Sequence, residues 1–248
     1  IDLDAATEKG IIVVNSPAGK TLAVAEYSLG MLLALLRKIP HSHASLKSGK
    51  WSRSQYMGQQ LFGKKLGIIG IGRIGPEVAR RAKALGMEVL GSDPFLSPQR
   101  AHSLGIELCE VADIFARSDF ITFHCPLTKE TRNLVNPRSL TQMKDGVFLV
   151  NCARGGVIDE AALYDALKSG KVAGAALDVY QEEPPKGSPL LELDNVVATP
   201  HLAASTIEAQ VDVAVDVADQ IVDVFAGRSP ANAVNIPSLS PELLESLR

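Results

Sequence analysis

The feature that most constrains the fold of this chain is a regular alternation of short apolar runs and helical segments, which begins at Leu66. Apolar runs such as LGIIG, DFITFHC and GVFLVNC alternate with segments of helical periodicity, among them RIGPEVARRAKALG and DEAALYDALKSG. Strands that alternate with helices of this length predict βαβ units and a parallel sheet. Because the strands are apolar throughout, we expect an α/β fold with a doubly wound sheet buried on both faces.

The flanking segments predict further elements. The start reads as a helix, IIVVNSPAG as a short β run, and TLAVAEYSLGMLLALLRK as a long helix that Pro40 interrupts. STIE predicts a capping box of Ser205 and Glu208 at the start of a long last helix. The apolar face expected on that helix consists of Ile207, Val211, Val215, Ala218, Val222 and Phe225.

Composition limits the kinds of partner. A net charge of −3 over 248 residues gives no electrostatic reason to expect nucleic acid or an anionic membrane surface. Three scattered cysteines form neither a disulfide framework nor a metal-binding pattern, so we expect no metal and a reducing, cytoplasmic compartment. No apolar run reaches the length of a membrane span. Since the chain opens without methionine, inside a helical pattern, we expect it to begin partway through a longer protein.

A glycine-rich loop follows the first strand of the alternation. In GIIGIGRIGPEVA, Gly70, Gly72 and Gly75 have the spacing of a dinucleotide-binding loop, and the next strand ends at Asp93. Gly70 permits the tight turn, Gly72 lets a pyrophosphate approach the backbone, and Gly75 lets the helix pack on the sheet. Asp93 can accept hydrogen bonds from ribose hydroxyls, and its charge would repel a 2′-phosphate. The context predicts a Rossmann-type domain that binds NAD rather than NADP.

Three stretches follow later strands and should line the same edge of the sheet: NCARGG, LDVYQEEPP and ATPHLAAST. Arg154 is a long cation placed among small residues, and an acid and a histidine stand in the other two stretches. Taken singly, each has a simpler explanation: Arg154 as a surface residue in a turn, Glu182 and Glu183 as solvated loop acids, and His201 as a structural residue.

As a set, these stretches resemble the D-isomer-specific 2-hydroxyacid dehydrogenases. The sequence is most similar to the phosphoglycerate-type members. The similarity extends from IDLDAATEKGI through GKW, the glycine loop and HCPLT to VNIP near the end. The resemblance implies NAD-dependent hydride transfer from a small 2-hydroxy acid. For the phosphoglycerate type, this is the oxidation of D-3-phosphoglycerate to 3-phosphohydroxypyruvate in serine biosynthesis.

The resemblance also implies site residues. The catalytic arginine that holds the substrate falls on Arg154, the acid on Glu183 rather than Glu182, and the proton-transferring histidine on His201. Arg53 is a candidate for the substrate phosphate, acting in a neighbouring subunit. The implied cofactor contacts are Gly70, Gly72, Arg73, Ile74, Gly75, Asp93, Cys125, Pro126, Cys152, Ala153, Arg154, Asp178, His201, Ala203 and Ala204.

The domain organisation follows from the same resemblance. Residues 1–15 are expected to be a remnant of an incomplete flavodoxin-like substrate domain, 16–226 the NAD-binding domain, and 227–248 a return segment toward the substrate domain. A homodimer built through the NAD-binding domain is implied. Because much of the substrate domain is missing, we expect the isolated chain to be weakly active or inactive.

Two alternatives stay open. Within the same chemistry, the enzyme would act on hydroxypyruvate, glyoxylate or another D-2-hydroxy acid such as D-lactate, which a substrate panel separates. In another class, the chain would be an NAD-sensing binding module similar to the C-terminal-binding transcriptional corepressors, which share the fold. The effect of Arg154→Ala on turnover and on partner binding distinguishes these classes.

Overall fold

The computed structural model describes residues 1–236, and these form two compact units. The larger unit is Val24–Ala203; the smaller combines Ile1–Ala23 with the described residues from Ala204 onward. The predicted return segment therefore lies partly outside the described residues, as does the last residue of VNIP. In the described part of the chain, no helix has both the length and the apolar character needed to cross a membrane.

A seven-stranded sheet with every strand pairing parallel forms the centre of the larger unit, in the order β3-β2-β1-β4-β5-β6-β7. The strands are β1 (Lys65–Ile69), β2 (Glu88–Ser92), β3 (Glu107–Leu108), β4 (Phe120–Phe123), β5 (Val147–Asn151), β6 (Val172–Leu177) and β7 (Val196–Ala198). The predicted doubly wound parallel sheet is confirmed.

Helices connect the strands and continue beyond them. They are α1 (Leu3–Glu8), α2 (Thr21–Leu36), α3 (Ile39–Lys47), α4 (Ile74–Ala84), α5 (Pro98–Leu104), α6 (Val111–Arg117), α7 (Pro137–Gln142), α8 (Glu160–Ser169) and α9 (Ile207–Phe225). Short 3-10 turns span Arg53–Tyr56 and Pro189–Glu192. Pro40 lies in the first turn of α3, where its missing N–H leaves no helical hydrogen bond unmade.

The central strands are buried on both faces because helices cover both sides of the sheet. Leu66 and Ile68 on β1 and Phe120 and Phe123 on β4 are almost completely buried. The chain runs from β1 outward to β3 and then returns to place β4 on the other side of β1. This reversal leaves the carboxyl ends of β1 and β4 side by side, and ligands of open α/β sheets bind at such a point.

Two expectations about the flanks were wrong. Ile11–Asn15 form no strand; Val14 makes a single bridge to Ala233, because no neighbouring strand supplies a ladder. The cap of α9 is Thr206, which accepts the Ala209 amide, and Ser205 precedes it. The residues of the apolar face expected on α9 are exposed, most fully Ile207 and Phe225.

Candidate active site

The loop from β1 to α4 is shaped by backbone-to-backbone contact. Gly70 has a φ of +96°, and a Cβ there would lie 2.6 Å from the carbonyl carbon of His124 and 2.7 Å from the amide nitrogen of Cys125. A Cβ on Gly75 would collide with the carbonyl oxygen of Gly70. Glycine at both positions therefore allows the loop to lie against the end of β4 and α4 to pack on the loop.

The same loop fits the phosphates of a dinucleotide. A Cβ on Gly72 would meet nothing within 4 Å, so the backbone is open on that side. Helix α4 begins at Ile74, and its N-cap residue Arg73 provides no side-chain hydrogen bond. The first N–H groups of α4 consequently have no side-chain cap, and such groups attract anions.

Asp93, just past the end of β2, fixes the glycine loop. Its Oδ2 accepts the Ile71 amide at 2.7 Å, and its Oδ1 accepts the Phe95 amide at 2.8 Å. A carboxylate oxygen can accept more than one hydrogen bond, so both oxygens retain capacity for a ribose hydroxyl. The sequence suggested only the ribose contact; the anchoring of Ile71 appears in the structure alone.

Two thiols lie at this edge of the sheet. Cys125 follows β4 and Cys152 follows β5, and both are buried. Burial raises the pKa of both thiols, that of Cys152 to about 12. The thiolate is the reactive form, so these cysteines stay protonated and pack passively at neutral pH.

Asp178 holds the backbone around His201. It directly follows β6, is fully buried, and accepts hydrogen bonds from the Thr199 hydroxyl at 2.6 Å and from the amides of Leu202 and Ala203, both at 2.8 Å. His201 between these anchors has a φ of +57°, which few non-glycine residues adopt. The resemblance implied a cofactor contact for Asp178; the structure adds this second task.

Glu183 and His201 form a hydrogen-bonded pair. His201 Nδ1 lies 2.8 Å from Glu183 Oε2, and Glu183 Oε1 accepts the Tyr180 amide at 3.1 Å. Partial burial alone would raise the pKa of Glu183, but the hydrogen bonds from His201 and Tyr180 outweigh it and hold that pKa below its ordinary value. The charge of Arg154 acts in the same direction. An ionised Glu183 orients the imidazole and leaves Nε2 to exchange a proton with a ligand.

The loop that carries Arg154 is shaped by Asn151, a buried residue at the end of β5. The Asn151 side chain accepts the Ala153 amide at 3.1 Å and donates to the Arg154 carbonyl at 3.0 Å. The exposed Arg154 guanidinium donates to the Ala153 carbonyl at 2.6 Å. Asn151 therefore sets the turn that brings the cation to the open edge of the sheet.

Tyr180 lies in the second of the three catalytic stretches and contacts the backbone of the other two. Its carbonyl lies so close to Gly155 that no side chain fits there, and its amide donates to Glu183. Its hydroxyl donates toward the Thr199 carbonyl at 3.0 Å, which also accepts the His201 amide at 3.1 Å. Burial raises the pKa of Tyr180 to about 12, so the hydroxyl keeps its proton. Sequence reasoning missed Asn151 and Tyr180, because their contacts run through the backbone.

Arg53 is not brought to this edge. Its 3-10 turn adjoins a cavity lined by Gln55 and by Phe148, Ala173 and Asn195, which lie at the amino ends of β5 and β6 and just before β7. Within one chain, Arg53 therefore lies at the opposite edge of the sheet from His201. Within residues 1–236, no group of three or more acids, histidines and cysteines is placed to hold a metal.

Three of the remaining predicted cofactor contacts lie in the larger unit, beside the residues already described. Pro126 follows Cys125 in an exposed position, Ala153 precedes Arg154, and Ala203 is buried beside Asp178. Ala204 lies in the smaller unit.

A family profile described as "D-isomer specific 2-hydroxyacid dehydrogenase, NAD binding domain" matches residues 29–203. The chain belongs to this family. Its cofactor is NAD, for which the open Gly72, the uncapped start of α4 and the Asp93 carboxylate form a fitting site.

Curated proteins and solved structures are similar to this chain over nearly its whole length. The chain is 53% identical over 246 residues to the D-3-phosphoglycerate dehydrogenase of Archaeoglobus fulgidus, covering 99% of this chain and 47% of that protein. The human protein of the same name is 48% identical over 240 residues, covering 97% and 45%. The chain thus spans about half the length of the curated relatives it matches.

Among solved structures, the D-lactate dehydrogenase of Aquifex aeolicus, complexed with NAD and lactic acid, matches with a TM-score of 0.83 and 34% identity over 96% of this chain and 77% of that one. A glyoxylate reductase from Paecilomyes thermophila matches with a TM-score of 0.87 and 35% identity, covering 94% and 71%.

Proposed function

We propose that this chain is the cofactor domain of an NAD-dependent D-3-phosphoglycerate dehydrogenase, which oxidises D-3-phosphoglycerate to 3-phosphohydroxypyruvate for serine biosynthesis. The observation that carries the proposal is the Glu183–His201 pair, 2.8 Å apart, within electrostatic range of Arg154 at the edge where the glycine loop opens. The names of the relatives that match nearly the whole chain support this substrate.

Each of these three residues has a defined task in this reaction. Arg154 binds the substrate carboxylate and the C2 oxygen through its planar, two-point donor geometry. His201 Nε2 accepts the C2 hydroxyl proton, while the ionised Glu183 stabilises the imidazolium that forms. Bound NAD supplies the hydride acceptor for the hydrogen on C2. The C2 hydroxyl carbon thereby becomes a carbonyl, and one proton is left on His201.

A substrate panel on the full-length protein tests the substrate. D-3-phosphoglycerate should give the highest kcat/KM, ahead of D-lactate, D-glycerate and glycolate with NAD. A preference for a substrate without a phosphate group would instead support the lactate or glyoxylate alternative. Two of the structural relatives are named for these activities.

The NAD-sensing module is the second alternative, and Arg154→Ala distinguishes it. In an enzyme, this variant abolishes turnover, since Arg154 binds the substrate. In a binding module, the wild-type protein turns over no D-2-hydroxy acid, and the variant changes only the binding of a protein partner.

The domain assignment belongs to the same proposal. Residues 1–15 are the remnant of the flavodoxin-like substrate domain, 16–226 the NAD-binding domain and 227–248 the return segment. The exposed apolar residues Ile207 and Phe225 on α9 support further protein packing against that helix. We accordingly expect the isolated chain to bind NADH and to turn over substrate weakly or not at all.

A homodimer through this domain completes the proposal. The segment around Arg53 carries exposed Trp51, Met57 and Phe62, and exposed apolar side chains of this size are typical of interfaces. Such contact would bring Arg53 of one subunit to the active site of the other. The net charge of −3 supports neither nucleic-acid nor membrane binding, and three free thiols support a cytoplasmic location.

A further inference from the structure

The segment that carries the acid Glu183 is tied to a neighbouring helix. Glu160, the first residue of α8, accepts the backbone amide of Gln181 through Oε1 at 2.5 Å. Its position in the first turn of α8 also suits a carboxylate, since the N-terminus of a helix favours negative charge. The tie joins two segments that lie 21 residues apart in sequence.

Apart from the close contact of the Tyr180–Gln181 peptide with the backbone of Gly155, little packing restrains the segment beside Glu160. A cavity of about 320 Å³ adjoins it, lined by Glu160, Gln181, Glu182 and the turn from Pro185 to Leu190. Gln181, Glu182 and Glu183 are all exposed. Packing restrains a segment only where atoms are in contact, so open space beside it leaves hydrogen bonds to fix its position.

The hydrogen bond from the Gln181 amide to Glu160 lies one residue from the hydrogen bond that holds Glu183. Tyr180 donates its amide to Glu183, and Gln181 directly follows Tyr180. A shift of the Gln181 amide toward the cavity would therefore rotate the peptide plane next to that donor. Glu183 would lose its second hydrogen bond and with it the fixed geometry of the pair with His201.

We propose that Glu160 is a positioning residue, which holds the Gln181 amide and so keeps Glu183 in hydrogen-bonding geometry with His201. It touches neither the substrate nor the cofactor and acts through the backbone alone. This inference rests on the proposed function, because the pair it positions is the proton-transfer pair of the dehydrogenase.

Three variants of Glu160 in the full-length protein distinguish the effect of its hydrogen bond to Gln181 from the effect of its negative charge. Glu160→Gln keeps an oxygen acceptor of the same reach, Glu160→Asp keeps the charge but shortens the reach, and Glu160→Ala removes both. The matched control is Glu182→Ala, which removes an exposed acid of the same segment that makes no hydrogen bond to the described residues.

We expect kcat to fall about tenfold or more in the Ala and Asp variants, since a small misplacement of a catalytic group costs at least this much. The Gln variant and the Glu182→Ala control should retain the wild-type kcat. NADH affinity should stay unchanged in all four. A Gln variant as slow as the Ala variant, or an Asp variant as fast as wild type, would overturn the proposal in favour of a charge effect.

Hydrogen exchange of the Gln181 amide tests the tie without turnover. Protection in wild type and Glu160→Gln, lost in Glu160→Asp, is expected, and equal protection in all three would refute the tie. If the Gln181 amide is protected in the wild type as expected but the protein oxidises no D-2-hydroxy acid, the proposed function fails, whereas the hydrogen bond between Glu160 and Gln181 is confirmed.

Discussion

The fully buried carboxylate of Asp178 accepts the Leu202 amide at 2.8 Å, which fixes the backbone directly after His201. The same carboxylate binds Thr199 before that histidine and Ala203 after it. These three bonds offset the cost of the left-handed conformation at His201, where φ is +57°. The position of the proton-transferring imidazole thus depends on an acid in the preceding loop.

Asp178→Asn should destabilise the chain. One acceptor oxygen becomes an NH₂ group that faces backbone N–H donors, and a buried donor left without a partner costs about 1–3 kcal/mol. Urea unfolding of this chain measures the loss. Asp165→Asn, an exposed position on α8, is the control, and equal stability of both variants would contradict the anchoring role.

Glu183→Gln should slow the reaction and change its pH dependence. The pKa of Glu183 is held below its ordinary value of 4.5, so its carboxylate is ionised above pH 4.5 and loses its charge only as pH falls through the lowered pKa. Wild-type kcat/KM should therefore retain the pair's contribution down to acidic pH. The variant, which lacks the Glu183 charge at every pH, should show a lower kcat at every pH. Its pH profile should also lack the decrease at acidic pH that protonation of Glu183 causes in the wild type. Identical pH profiles of the two would rule out the pair.

Asp93→Asn should weaken the discrimination against NADPH. The variant loses the negative charge that repels a 2′-phosphate but keeps one oxygen for the Ile71 or Phe95 amide. We expect the affinity for NADPH relative to NADH to rise about tenfold, the size of one removed charge repulsion near a protein surface. Calorimetric titration with each dinucleotide measures this. Asp113→Asn, exposed on α6, should leave the ratio as in wild type.

Arg53→Ala and His201→Ala should complement each other when mixed. If Arg53 acts in the neighbouring subunit, each pure variant is inactive on D-3-phosphoglycerate. A heterodimer has one site with both an intact His201 and an intact Arg53 from the partner. Activity should appear after subunit exchange of the full-length proteins, whereas no recovery in verified heterodimers would place Arg53 outside the partner's site.

The fold was predictable where the pattern was local. Apart from β3, the strands from β1 to β7 and the helices between them follow from periodicity, and Asp159 caps α8 as its sequence suggests. The run at Ile11–Asn15 has strand-forming side chains but no neighbouring strand, which local sequence cannot show. Strand β3 was missed because its two residues are too short for periodicity to register.

The sequence motifs predicted which residues form the candidate site, but they did not predict the contacts that hold those residues in place. Arg154, Glu183 and His201 stand in recognisable stretches, and the structure brings their loops to one edge. The residues that hold them act through backbone contacts made only in the folded chain, such as that of Glu160 with the Gln181 amide and that of Asn151 with the Arg154 carbonyl. No sequence spacing encodes those partners.

The most direct test of the proposed reaction is isotope transfer in the full-length protein. D-3-phosphoglycerate carrying deuterium at C2 is incubated with NAD, and the products are analysed by mass spectrometry. We expect 3-phosphohydroxypyruvate without deuterium and reduced cofactor that carries it, with both absent for the L isomer and for His201→Ala. Failure to transfer deuterium from D-3-phosphoglycerate, in protein that binds NADH, would contradict the proposal.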